Sequence, residues 1–100
     1  MILTETKTKT HHYFKDEQHT FQGEYKWWHE NGQLLEHCFY VDDERHGEYK
    51  WWDSNGQLYE HSFYVDDEEE IDFLKNPAEY PATPEAKTFF ALKHGSGMLL

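Results

Sequence analysis

From Gly23 to Glu70 a 24-residue unit is written twice, GEYKWWHENGQLLEHCFYVDDERH followed without insertion by GEYKWWDSNGQLYEHSFYVDDEEE. The copies differ at six positions: His29/Asp53, Glu30/Ser54, Leu35/Tyr59, Cys38/Ser62, Arg45/Glu69 and His46/Glu70. Self-similarity at a fixed period restricts the chain to a stacked architecture, in which each unit is too small to bury its own apolar face and leans on its neighbour. Any functional surface should therefore repeat with the same period.

Asn31-Gly32 and Asn55-Gly56 each separate two runs of strand-forming residues. Both residue types tolerate positive φ, so an Asn-Gly type I′ turn predicts one β-hairpin per unit. Counting outward from the turn places Trp28 opposite Leu35, Trp27 opposite Glu36, Tyr25 opposite Cys38 and Gly23 opposite Tyr40. Side chains alternate across a strand, so Tyr25, Trp27, Leu34, Cys38 and Tyr40 share one face. That face, with Tyr49, Trp51, Leu58, Ser62 and Tyr64 of the second unit, is the expected core. The opposite face carries Trp28, Leu35, Phe39, Trp52, Tyr59 and Phe63 among Glu24, Lys26 and His37 and their copies. Aromatic residues are 18% of the chain, more than a single-layer sheet can hide. These six residues are the candidate partner-binding patch, because large contiguous apolar surfaces mark interaction sites.

Gly23-Glu24-Tyr25-Lys26, Trp28, Asn31-Gly32-Gln33-Leu34 and Phe39-Tyr40, repeated from Gly47 to Tyr64, resemble the second type of MORN repeat. The near-identical tandem copies look most like MORN arrays of giant DNA viruses of amoebae. The resemblance covers about half the chain. It implies a non-enzymatic interaction or scaffold module, with an antitoxin-like inhibitor or a membrane-associated MORN protein as alternatives. Asp42-Asp43-Glu44 and Asp66-Asp67-Glu68 stand where the family usually has a glycine-containing turn.

The flanks should close the array. Thr4 to Thr10 alternates with period two and runs into His11-His12-Tyr13-Phe14, which parallels His37-Cys38-Phe39-Tyr40. We read it as the second strand of a degenerate leading repeat, with a Lys15–Gln22 turn two residues longer than its counterpart. Ile71 stands where a third Gly is due, and three prolines follow. A short helix is expected over Glu68 to Lys75. Thr83-Pro84-Glu85 is a helix-start signal, predicting a C-terminal helix near 84–93 that covers part of the last hairpin. The predicted fold is mainly β, a single-layer antiparallel sheet of tandem hairpins with about five strands and a short C-terminal α-helical cap. Its segments are the leading strand 1–22, the repeats 23–46 and 47–70, and the cap 71–100, in one structural domain.

The formal net charge is −11, and Arg45 is the single arginine. No basic stripe exists to neutralise phosphates, which argues against nucleic acid and anionic membranes. The acidic run Asp66 to Asp72 reads as a solvated connection. A protein partner or a second copy of the chain is the expected ligand. Cys38 stands alone, and no signal peptide or apolar span is evident, so an intracellular location is expected. Eight histidines raise the question of a metal. His37 and His61 are expected roughly 10 Å apart, two strands away from each other, too far to share one ion. A surface ladder of neutral imidazoles, neighboured by Lys26 and Phe39 rather than carboxylates, is the reading adopted. No nucleophile and base are brought together, so no enzyme activity and no cofactor are expected.

Overall fold

The computed structural model describes residues 1–79. Eight strands form one open antiparallel sheet: β1 (Thr4–Lys7), β2 (His11–Lys15), β3 (Gly23–Trp28), β4 (Leu34–Val41), β5 (Glu44–Arg45), β6 (Gly47–Trp52), β7 (Leu58–Val65) and β8 (Glu68–Asp72). Their spatial order is β1-β2-β3-β4-β6-β7-β8, and β5 pairs with β4. The one helical element among the described residues is a 3-10 turn, Pro77–Glu79. The helix expected near 84–93 lies outside the described residues.

Pairing within each hairpin follows the count from Gly23↔Tyr40 to Trp27↔Glu36, then slips, so that Trp28 pairs with Leu34 and Trp52 with Leu58. The turn is the cause. Gly32 has φ +89° but Asn31 is not left-handed. The Gly32 amide donates to the His29 carbonyl at 2.9 Å, and the His29 amide to the Gln33 carbonyl at 2.8 Å. This is a three-residue loop, a type I turn followed by a left-handed glycine, rather than the expected type I′ turn. The type I′ geometry occurs at the opposite end of the unit. There Asp42 and Asp43 have φ 50° and 67°, and Asp66 and Asp67 have 49° and 65°. Aspartate is among the few non-glycine residues that tolerate this region. The Asp-Asp connections are therefore tight hairpin turns, joining Val41 to Glu44 and Val65 to Glu68.

The residue four positions past each Asp-Asp turn decides whether the chain leaves for a new hairpin or stays beside the last one. Strand β5 pairs with β4 for two residues only. Gly47, at φ +111°, then carries the chain away to start β6. Its equivalent is Ile71, whose branched side chain resists positive φ. The chain therefore stays beside β7, and β8 runs from Glu68 to Asp72. The short helix expected over Glu68–Lys75 is corrected to this strand; the acidic run forms the turn and most of the strand, and Asp66 to Glu70 are exposed to solvent as expected. Ile71 and Phe73 pack with Phe63 into a buried cluster, bordered by Val65.

At the N-terminus the chain folds back instead of forming one long strand. The Thr8 amide donates to the His11 carbonyl at 2.7 Å, and the His11 amide donates to the Thr8 hydroxyl at 3.0 Å. β1 then pairs with β2 from Thr4↔Lys15 to Lys7↔His12. His12 pairs with Lys26 as His37 pairs with Lys50, so His12, not His11, is the counterpart of His37. Asp16 organises the following loop by accepting from the Gln18 and Thr20 amides, the Thr20 hydroxyl and the Gln22 side chain. The Thr20 hydroxyl is the main reason its carboxyl is held down at about 2.

Units are fastened at both ends. Phe21 and Asp43 exchange two hydrogen bonds: the Asp43 amide donates to the Phe21 carbonyl at 3.1 Å and the Phe21 amide to Asp43 Oδ1 at 2.6 Å. Arg45 and Asp67 repeat the arrangement one period later. At the other end His29 Nε2 donates to the Trp52 carbonyl at 3.1 Å, and Asn31 Nδ2 to the Ser54 carbonyl at 3.0 Å. Asp53, the counterpart of His29, instead accepts from the Asn55 and Gln57 amides of its own turn. The divergence at this position follows from whether another hairpin turn lies alongside.

Candidate functional site

Across one face a single row crosses five neighbouring strands in the order His11, Trp27, Glu36, Trp51, Glu60. Trp27 is 37% exposed and Trp51 41%, so neither is the core residue expected from the sequence. The His11 ring stacks on Trp27 with centroids 5.0 Å apart, and Tyr59, 60% exposed, lies 5.4 Å from the Trp51 ring. Between the indoles stands Glu36, which accepts a hydrogen bond from the Tyr49 hydroxyl. Glu60 accepts one from the Tyr64 hydroxyl at 2.9 Å. A carboxylate offers about four lone-pair directions, so each keeps acceptor capacity beyond its tyrosine.

Beside this row, two residues along the strands on the same face, lies the tyrosine core that the hairpin register predicts. Cys38, Tyr49 and Tyr64 are buried, with Tyr25 and Tyr40 packed against them. Phe21 stacks on Tyr40 at 5.2 Å and meets Tyr25 edge-on at 5.5 Å. One period later Arg45 occupies the same place, its guanidinium carbon 4.3 Å from the Tyr64 ring centre and 5.5 Å from that of Tyr49. Asp67 completes this arrangement by accepting from Arg45 Nε at 2.7 Å. Burial raises the Tyr25 and Tyr64 phenols to about 12, and raises those of Tyr40 and Tyr49 further.

The opposite face carries the row His12, Lys26, His37, Lys50, His61 on successive strands. The histidines do have carboxylate neighbours, contrary to expectation. His12 meets Glu5 at 2.6 Å, His37 meets Glu24 at 2.9 Å and His61 meets Glu48 at 3.0 Å. Glu24 and Glu48 also reach Lys26 and Lys50 at 3.8 Å. Each repeated carboxylate thus contacts one lysine and one imidazole. Among the described residues no three His, Cys, Asp or Glu side chains converge to hold an ion. An open cleft of about 400 Å³ on this face is lined by Lys50, Trp52, Leu58, His61, Phe73 and Pro77.

A family model described as a MORN repeat variant matches residues 21–42 and again 45–66. The chain is a MORN-repeat protein. No curated protein and no solved structure matches it. The two MORN matches begin at Phe21 and Arg45, the residues stacked over the tyrosine pairs. MORN repeats are modules of protein or membrane interaction, and the family is not one of enzymes.

The six residues singled out from the sequence do not share one MORN surface. Trp28, Phe39, Trp52 and Phe63 lie on the histidine-bearing face, but Phe63 is 1% exposed, packed with Ile71 and Phe73, and presents nothing to a partner. Leu35 and Tyr59 are the extra residues where the register slips, and Tyr59 projects beside Trp51 on the other face. Leu58 correspondingly lines the Trp52 cleft instead of the tyrosine core. A one-residue slip exchanges faces, which is why counting from a tight turn misassigned both leucine positions. The alternation of Trp27, Glu36, Trp51 and Glu60 was already implied by the sequence pairing, but nothing there indicated that the tryptophans stay exposed.

Cys38 is 1% exposed, and burial pushes its thiol up from 9.0 to about 12. The thiolate fraction at neutral pH is then about a thousandfold below that of a free cysteine. Iodoacetamide at pH 8 should leave the folded protein unmodified and label it promptly in denaturant. Rapid labelling of the folded protein, read by mass, would contradict the burial.

Proposed function

We propose that this MORN-repeat chain is a non-enzymatic interaction module that docks a protein partner through the face bearing Trp27, Trp51 and Tyr59. One observation carries the reading: these large aromatic side chains align on one face and stay exposed. Rigid, partly exposed aromatics with satisfied neighbours are what hot spots of protein interfaces are made of. Carboxylates interleave with the indoles on a chain of net charge −11, which favours a protein over an anionic membrane. An antitoxin-like inhibitor of a basic toxin surface is one form such a module takes.

Capture from native extract tests the proposal with two double variants, Trp27→Ala/Trp51→Ala and Trp28→Ala/Trp52→Ala. The first pair should remain folded by circular dichroism and lose its partner. The second pair should lower stability and, where folded, retain the partner. Retention by the first pair and loss by a folded second pair would move the site to the other face.

A further inference from the structure

We propose that the Trp27, Glu36, Trp51 and Glu60 row binds arginine side chains of a basic polypeptide segment, an assignment that rests on the docking face proposed above. The chain contains its own precedent. On this same face Arg45 lies over Tyr64, its guanidinium carbon 4.3 Å from the ring centre, while Asp67 accepts from its Nε at 2.7 Å. Lys15 Nζ similarly sits 4.7 Å over the Phe21 ring. The face therefore already holds two cations on its aromatic rings. Trp51 repeats the components of the Arg45 site, a partly exposed aromatic ring with Glu36 on one neighbouring strand and Glu60 on the other. Among the described residues no lysine or arginine covers it.

Chemistry selects arginine from the possible cations. A guanidinium stacks on an indole while its in-plane N–H groups reach carboxylates at the ring edge, which a lysine ammonium cannot do at once. The carboxylates are held in place by the hydroxyls of Tyr49 and Tyr64, so little side-chain freedom is lost on binding. Charge complementarity excludes a second copy as the donor, because the single arginine of this chain is engaged at Asp67. Trp27 and Trp51 are two strands apart, roughly 10 Å. Residues three apart in a polyproline II segment are about 9 Å apart, so arginines at every third position would fill both places.

The test follows the four indole N–H signals of the ¹⁵N-labelled full chain, assigned with Trp→Phe variants. The probe is a peptide of Arg-Pro-Pro triplets, and the control replaces arginine by lysine. Saturable shifts at Trp51 and Trp27 are expected, with the lysine peptide about tenfold weaker. Glu36→Gln should weaken the arginine peptide by about tenfold while preserving the fold, since the amide oxygen still accepts from Tyr49. Equal binding of the lysine peptide at these indoles would overturn the arginine assignment and leave the docking face standing. Shifts confined to Trp28 and Trp52, or no saturable shift, would overturn the arginine assignment as well. The fate of the docking face is then read independently from the capture experiment.

Discussion

Phe63→Ala should destabilise the protein by about 3–5 kcal/mol, whereas Phe39→Ala, at the same position of the other repeat, should cost about 1–2 kcal/mol. The residues are identical and their strands differ at only two positions, Leu35/Tyr59 and Cys38/Ser62, but their covers differ. Phe63 is 1% exposed beneath Ile71 and Phe73 of the closing segment. Beside Phe39 there is only the two-residue β5 before Gly47 turns away, and its ring meets that of His37 at 5.3 Å. Urea denaturation should show a much lower midpoint for Phe63→Ala at nearly unchanged slope. Equal losses at the two positions would mean that β8 does not close the sheet as described.

Alkaline pH should unfold the protein over a narrow range. Burial raises the Tyr25 and Tyr64 phenols from 10.0 to about 12, and Tyr40 and Tyr49 move in the same direction. Glu36 adds to the shift at Tyr25 and Tyr49, and Glu60 at Tyr64, because each places negative charge beside a phenol that would itself become negative. The folded state therefore holds these protons more tightly than the unfolded chain. Their contribution to stability is complete below pH 10 and is lost as pH rises through about 12. Phenolate absorbance should rise together with loss of circular dichroism in that interval. Phenolate formation centred near pH 10 in the folded protein would contradict the buried tyrosine core.

How much of this could be read from the chain depended on whether a local signal had one physical solution. The hairpin, its pairing from Gly23↔Tyr40 to Trp27↔Glu36 and the tyrosine core all followed from the period and from strand alternation. Asn-Gly, however, suits two turns, and the one adopted inserts a residue that exchanges the faces of Leu34 and Leu35. Asp42-Asp43 and Asp66-Asp67 carried the tight turn instead, a role hidden because aspartate in these runs also reads as a solvated charge. Ile71 was visible as the break in the repeat, yet its consequence, five residues of β8 in place of two of β5, depended on the positive φ that Gly47 adopts and a branched residue resists. The aromatic excess pointed to an interaction surface. Which tryptophans remain exposed was set by the slip and by the cover over Phe63, neither of which the alternating pattern contains.

The most direct measurement is residue-resolved tryptophan oxidation, read by mass spectrometry on the free protein and on the captured complex. Trp27 and Trp51 should oxidise ahead of Trp28 and Trp52 in the free protein and become protected when the partner is bound. Faster oxidation of Trp28 and Trp52, or protection confined to them in the complex, would contradict the assignment of the docking face.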